Sequence, residues 1–431
     1  MTNRPLRGTR PALSRPTRSL LTLLALPCLV AGCDGSLATG RDGGSTPPTR
    51  DGAAGTDAGV PPADDAGGPG GDAGTPGGDA GVPPAPTDNR FGIGLVSPGD
   101  AAQMEMTANL TGPGGFVKMI FPGVVPGMTE PPPDWANAVR EAYARDLVPV
   151  VRFGPPWGDR RVRNQSDEGS DGLAYTALAR SYVNVVRGLP LREGWPLYVE
   201  VHNEPNLCYE WACDRGRFEG DRISSERIAQ EYASMLRDVA DALHGMDDPR
   251  IRVTNGGLAP GGVRWCECVG PGEGGFEAGN TSNDFLAQMA AAVPGVFDRL
   301  DAFSSHSYPA SNHGYGFFVP YDASVPGLTY FETELATIGR PDLPVLMTET
   351  GWPSTHGGTT YGSREDVAAW TRQAYENVWL THPNVLGVMP FILQDPGAWD
   401  GFAWVRGDGS PYPVYGEVRA LRCASIPGRC P

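Results

Sequence analysis

The chain has 431 residues, of which 40% are hydrophobic and 19% charged, with a formal net charge of −16. Five arginines crowd the first 18 residues and residues 34–88 carry nine Asp against two Arg, so residues 89–431 hold a net charge of −14. That balance argues against a nucleic-acid partner and against docking on an anionic membrane surface.

Arg4, Arg7, Arg10, Arg15 and Arg18 precede an apolar run, Leu20–Val30, too short to span a bilayer as a stable helix. The order of charge, apolar run and small residues is that of a secretory signal over residues 1–32. The signal ends in Leu29-Val30-Ala31-Gly32-Cys33, which resembles the bacterial lipoprotein box, and the resemblance implies a lipidated Cys33 as first mature residue. Residues 33–88 form a Gly/Pro/Asp/Ala-rich tether in which Asp-Ala-Gly recurs at Asp57, Asp65, Asp72 and Asp79. Without aromatics and with few large aliphatics, the tether cannot bury enough apolar area to offset its ordering entropy. An exported protein held at the cell envelope through a lipid alone is the expectation, with the rest of the chain a monomer in the aqueous phase.

From residue 89 onward, short β-rich runs alternate with stretches of helical period, the pattern of β/α units around a parallel sheet. Eight strands are predicted: Phe91–Val96, Gly115–Phe121, Leu147–Phe153, Leu197–His202, Ile251–Asn255, Asp301–Ser305, Val345–Glu349 and Val385–Leu393. Ile228, Tyr232, Met235, Leu236, Val239 and Leu243 make one apolar helical stripe. Thr281 with Asp284, Thr329 with Glu332, and Ser363 with Asp366 give helix-start signals. Eight alternations favour a closed (β/α)8 TIM barrel over an open doubly wound sheet, and the Gly-rich phosphate turn of the latter is missing after the first strand. No cofactor or metal is called for.

Two of these strands end in carboxylates. Leu197–Asn206 alternates Val199 and Val201 with polar residues and stops at Asn203-Glu204-Pro205; Pro344–Pro353 ends an apolar strand at Glu349. Strand ends on the C-terminal face are where such barrels keep their chemistry. Two glutamates facing one another across the mouth meet the needs of glycoside hydrolysis, one acid and one nucleophile. Strand alternation would put Glu200, His202 and Glu204 on one side, with Glu200 inside the barrel and in need of a cation, for which Arg152 and Lys118 have inward parity.

These motifs resemble the clan A glycoside hydrolases. Glu200-Val201-His202-Asn203-Glu204-Pro205-Asn206-Leu207 is similar to families 39 and 5, Ser305-His306-Ser307-Tyr308 to the His-x-Tyr of family 5, and Thr348-Glu349-Thr350-Gly351-Trp352-Pro353-Ser354 to family 17. The resemblance implies Glu204 as acid/base, Glu349 as nucleophile and Tyr308 as the group that orients it, with oligo- or polysaccharide as substrate. Lys118 stands where family 5 relatives place an arginine. The carboxamide of Asn203 can donate to a sugar 2-hydroxyl, and His306 joins the site. Trp157, Trp211, Trp352 and Trp399 follow strands three, four, seven and eight; of these Trp352 and Trp399 are the expected sugar-stacking walls, with Gln394 reaching a hydroxyl. A barrel that binds polysaccharide without cleaving it is the alternative.

With Cys28 removed and Cys33 acylated, six cysteines remain: Cys208, Cys213, Cys266, Cys268, Cys423 and Cys430. In an exported chain an even set reads as disulfides, Cys423 with Cys430 closing a short loop and the other four allowing three pairings. A four-thiolate zinc site on the latter four is the alternative.

Overall fold

A computed structural model describes residues 88–154, 161–213, 222–268, 274–310, 319–395, 397–426 and 430. The signal, Cys33, the tether and Trp157 lie outside the described residues.

Eight parallel strands, each followed by a helix, run through these residues. They are β1 (Gly92–Leu95), β2 (Phe116–Phe121), β3 (Val148–Phe153), β4 (Leu197–Val201), β5 (Ile251–Asn255), β6 (Phe303–Ser305), β7 (Val345–Met347) and β8 (Val385–Val388). The helices between and after them are α1 (Ala101–Thr111), α2 (Pro133–Ala144), α3 (Thr176–Gly188), α4 (Ser225–His244), α5 (Ser282–Ala292), α6 (Tyr330–Thr337), α7 (Arg364–Ala374) and α8 (Pro413–Ser425). Strands β1 to β5 form one parallel ladder and β6 to β8 another. A parallel bridge from Phe91 to Val388 joins them at one seam. At the other, Asp301 N–H donates to Val253 O (3.0 Å), and the Asn255 carboxamide substitutes for a ladder by bonding both Ser304 N–H (3.0 Å) and Ser304 O (2.9 Å). Neither seam is left with an open sheet edge.

Two shells of apolar packing result. Phe116, Val148, Val150, Tyr198, Leu346 and Met389 fill the bore, while Val117, Val151, Val199 and Val253 alternate outward against the helices. The α4 stripe is buried throughout. Helices α5 and α7 start in full capping boxes at Thr281/Asp284 and Ser363/Asp366. Thr329 makes no cap bond to α6, because a 3-10 turn over Pro326–Thr329 leads straight into that helix. Strand β8 also ends sooner than predicted, at Val388 rather than Leu393. Pro390 cannot donate to a ladder, and beyond it the chain stays beside β1 through irregular bonds, Gly94 N–H to Pro390 O (3.1 Å) and Leu393 N–H to Gly94 O (2.9 Å).

Two additions decorate the C-terminal end. A three-stranded antiparallel sheet, Arg222–Ser224, Gly261–Cys268 and Gly274–Thr281, is built from the loops around α4 and β5. It is tied by the Cys208–Cys266 disulfide to a short helix, Cys208–Trp211, after β4. A two-stranded hairpin, Thr355–His356 with Thr359–Thr360, follows β7. Cys423 and Cys430 are bonded at the C-terminus. Cys213 is disulfide-bonded as well, while the side chain of Cys268 lies outside the described residues. No helix among the described residues is long and apolar enough to cross a membrane.

Candidate active site

The site is built on a charged floor. Above the apolar bore, Lys118 from β2 and Glu200 from β4 point inward, both wholly buried, with their charged atoms 3.3 Å apart. Thr348 donates its hydroxyl to Glu200 Oε1 (2.8 Å) and Gly257 N–H donates to the same oxygen (3.2 Å). Burial alone would raise the Glu200 carboxyl, but Lys118, His306 and Thr348 overrule it and hold the group down at about 2. Lys118 is the cation that Glu200 meets. Arg152, also inward and opposite Glu200 in the β3–β4 register, makes no ion pair with it and instead favours ionised Glu349 through space.

Beyond Val201 the chain leaves strand geometry. His202 (φ 80°) and Glu204 (φ 39°) both adopt left-handed backbone, a conformation that costs a non-glycine residue about 1–3 kcal/mol and must be held by its surroundings. The holding contacts are specific. Glu204 N–H donates to Gly257 O (2.9 Å), and the Asn206 carboxamide bonds Ala259 and Gly261. The Tyr232 hydroxyl, from α4, donates to Val201 O (3.0 Å) while accepting from Gly256 N–H (2.6 Å). This kink corrects the alternation argument at one residue: His202 turns outward, where its ring lies 5.0 Å from that of Trp211 and 6.2 Å from that of Tyr232. Trp211, wholly buried, donates to Glu231.

Glu204 and Glu349 then face each other across His306. The imidazole Nδ1 stands 2.8 Å from Glu204 Oε1 and 3.7 Å from Glu349 Oε2, with Nε2 3.8 Å from Glu200. Gly257 lies so close that any Cβ there would strike the imidazole ring. Glu349 accepts from Lys118 Nζ on one oxygen (3.0 Å) and from the Tyr308 hydroxyl on the other (3.1 Å). One oxygen of Glu204, one of Glu349 and a His306 nitrogen lie within 4.8 Å of one another. Such a trio could ligate a cation, but the Lys118 ammonium already occupies one side of Glu349, which opposes a second positive charge.

The two carboxyls are driven apart electrostatically. Burial, together with the charges of Glu349 and Glu210, raises Glu204 above the usual carboxylate range against the pull of His306. Burial would also raise Glu349, yet His306, Lys118 and Arg152 bring it below that range. His306 is itself pushed up to about 9: the neighbouring carboxylates overcome the effect of burial and the repulsion of Lys118, so the ring is an imidazolium at neutral pH. Asn203, 5% exposed, sits beside Glu204 at the floor of the mouth.

Two other expectations are corrected. Trp352 is not a wall of the mouth. After Gly351 (φ 114°) redirects the chain, its ring packs outward near Trp370 and Trp379, and its Nε1–H donates to Val319 O (2.7 Å). Gln394 has both ends of its amide engaged inside the protein, accepting from Gln103 and donating to Arg406 O. Trp399, in contrast, is 40% exposed. Gly257 and Glu210 belong to the site without having been signalled by any motif, and Thr348 lies in the strand-seven motif but was given no role there. Nor was Glu334 on α6, a buried carboxyl raised to about 7 by burial, which accepts from Ser305.

No family model matches the sequence, and no curated protein matches it. Among solved structures, the fold is similar to that of a family 39 glycoside hydrolase from Bacteroides cellulosilyticus WH2, at 18% identity and a TM-score of 0.51 over 78% of this chain and 64% of that one. It is also similar to a monomeric β-xylosidase from Caulobacter crescentus CB15, at 17% identity and a TM-score of 0.50 over 79% of this chain and 68% of that one. The chain thus spans slightly less than two thirds of the first of these proteins. At such identities the likeness is one of fold alone, a β/α barrel.

Proposed function

We propose that the protein is a retaining glycoside hydrolase that cleaves a β-linked glycan by double displacement. Glu349 is the nucleophile and Glu204 the acid/base. The observation that carries this reading is the pair itself. The two carboxyls approach within 4.8 Å, close to the roughly 5–5.5 Å of retaining sites and well short of the roughly 6.5–9.5 Å that an inverting site needs for its water. Their protonation preferences diverge as an ionised nucleophile and a protonated acid require.

In the first step Glu349 attacks the anomeric carbon while Glu204 gives its proton to the departing oxygen. Lys118 and Tyr308 keep Glu349 ionised and aimed. In the second step Glu204, now a carboxylate beside the His306 imidazolium, takes a proton from water, which attacks the glycosyl ester and restores Glu349. The Asn203 carboxamide donates to the 2-hydroxyl, a contact that tightens as the oxocarbenium character develops. Lipid attachment at Cys33 and the tether complete the proposal as the means by which the domain stays at the envelope.

The test is chemical. Nitrophenol release from aryl β-glycosides would separate catalysis from mere binding, and proton NMR of the first-formed sugar should show the β anomer. Initial appearance of the α anomer would rule out this pair as nucleophile and acid/base.

A further inference from the structure

Beside the catalytic centre, the hairpin after β7 and the turn after β8 meet around a cavity of about 290 Å³. Its lining includes His356, Gly357, Gly358, Gly397, Asp400 and Gly401. The volume is at the small end of ligand sites, which run from about 300 to 1,000 Å³, and suits one ring better than a chain. The walls are fixed in place. Gly401 passes so close to Thr355 that a side chain there would strike its carbonyl, and Ser354 N–H donates to Gly401 O (2.9 Å). Arg364 from α7 pins the other wall through Asp400 O (2.9 Å), the Asp400 carboxylate (3.3 Å), Gly401 O (3.1 Å) and Ala403 O (2.8 Å).

Trp399 stands next to this cavity, its ring 5.0 Å from that of His356 and only 11° from parallel. A tryptophan left 40% exposed forgoes a large part of the apolar burial its size allows. It is also in line with the chemistry. Trp399 lies 5.9 Å from Phe402, and Phe402 lies 6.3 Å from Tyr308, whose hydroxyl touches Glu349. Two ring-to-ring contacts, through the buried Phe402, therefore separate Trp399 from the tyrosine that touches Glu349.

We propose that the cavity and the Trp399 face form a distal subsite for one neutral sugar unit of a glycan whose scissile bond is held at Glu349. This rests on the glycosidase reading and narrows it, to substrates several units long and not to a disaccharide. Neutrality follows from the lining. The Asp400 charge is met by Arg364, and His356, lowered by burial, is an uncharged imidazole at neutral pH. The glycines at 357 and 358 line the cavity with backbone rather than side chains, while the tryptophan offers the flat apolar face that a pyranose ring covers.

The test is titration calorimetry on the Glu349→Ala enzyme with cellotetraose, xylotetraose, mannotetraose and laminaritetraose. Adding Trp399→Ala should weaken the tetraose that binds by about tenfold, the scale of truncating an anchoring aromatic. His356→Ala should weaken it in the same direction, and Trp399→Phe, which keeps a ring, should restore most of the loss. Matching thermal melts would establish that the variants fold. Unchanged affinity in Trp399→Ala, or no tetraose binding by a protein whose wild type still releases nitrophenol from aryl glycosides, would overturn the subsite and leave the glycosidase reading standing. Absence of both binding and release would overturn the two together.

Discussion

Lys118 places its ammonium 3.0 Å from the carboxylate of Glu349, in a position wholly sealed from solvent. Lys118→Met would leave Glu200 and Glu349 with a buried charge less well matched, an imbalance that costs about 3–5 kcal/mol in comparable buried pairs. The expected result is a clear fall in melting temperature and a drop in kcat/KM of at least about 100-fold, the scale of losing a preorganised charge at a reacting centre. A near-native rate in this variant would detach Lys118 from the nucleophile.

The pH dependence follows from the opposed shifts. Glu349 lies below the usual carboxylate range and Glu204 above it, and the proposed mechanism needs the first ionised and the second protonated. kcat/KM should therefore be bell-shaped, falling in acid as Glu349 gains a proton and in alkali as Glu204 loses one. In Glu204→Gln, assayed with an activated aryl glycoside that needs no acid, the alkaline limb assigned to Glu204 should vanish. Its persistence would assign that limb to another group.

Stability has its own pH signature. His306 rises in the fold from 6.5 to about 9, so its contribution is complete below pH 6.5 and is lost as pH climbs through 9. Glu200 falls from 4.5 to about 2, so its contribution is complete above pH 4.5 and is lost as pH drops toward 2. Melting temperatures taken across pH should decline on both sides, and His306→Asn should flatten the alkaline decline.

Azide distinguishes the two glutamates. With an activated aryl glycoside, azide should restore turnover to Glu204→Ala and yield the β-glycosyl azide, because the ester forms without help and only its breakdown lacks a base. In Glu349→Ala it should yield the α-azide, by attack from the vacated face. Near-native activity of both alanine variants would remove the pair from the mechanism.

The Cys208–Cys266 bond spans 58 residues of sequence, and closing such a loop restricts the unfolded chain by about 4 kcal/mol. Its removal in Cys208→Ala/Cys266→Ala should lower the melting temperature markedly. Thiol titration of the denatured, unreduced protein should find fewer than four free thiols.

For the anchor, partitioning into a detergent phase should be lost in Cys33→Ser. Partitioning that survives the substitution would place the membrane affinity elsewhere.

Much of the barrel is legible in the sequence because each strand is an apolar run between polar helical stretches, and all eight runs overlap an observed strand. Their C-terminal ends are less so. Period-two alternation holds only while the ladder lasts. Past Met347, two consecutive side chains turn inward, Thr348 to Glu200 and Glu349 to Lys118, and past Val201 His202 turns outward on a left-handed backbone. The motif residues Glu204, His306, Tyr308 and Glu349 could be picked out by position, since each lies within three residues of the end of its strand. The tryptophans could not. Trp352 and Trp399 are the same residue type in similar loops, and it is the turn at Gly351 that sends one into the helix layer while the other stays exposed. The even cysteine count was visible; the pairing of Cys208 with Cys266 depends on an antiparallel sheet between β4 and α5 that no period announced.

The floor of the mouth has an arithmetic of its own. Lys118, Arg152 and the His306 imidazolium supply three positive charges, Glu200, Glu210 and Glu349 three negative ones, and protonated Glu204 none. In the proposed first step Glu349 becomes an ester and turns neutral, while Glu204 gives up its proton and turns negative. The tally is zero before and zero after, and His306 is 2.8 Å from the carboxyl that gains the charge and 3.7 Å from the one that loses it. The enclosure never has to host an extra ion, so the anion can hop from one wall to the other without water rushing in to screen it.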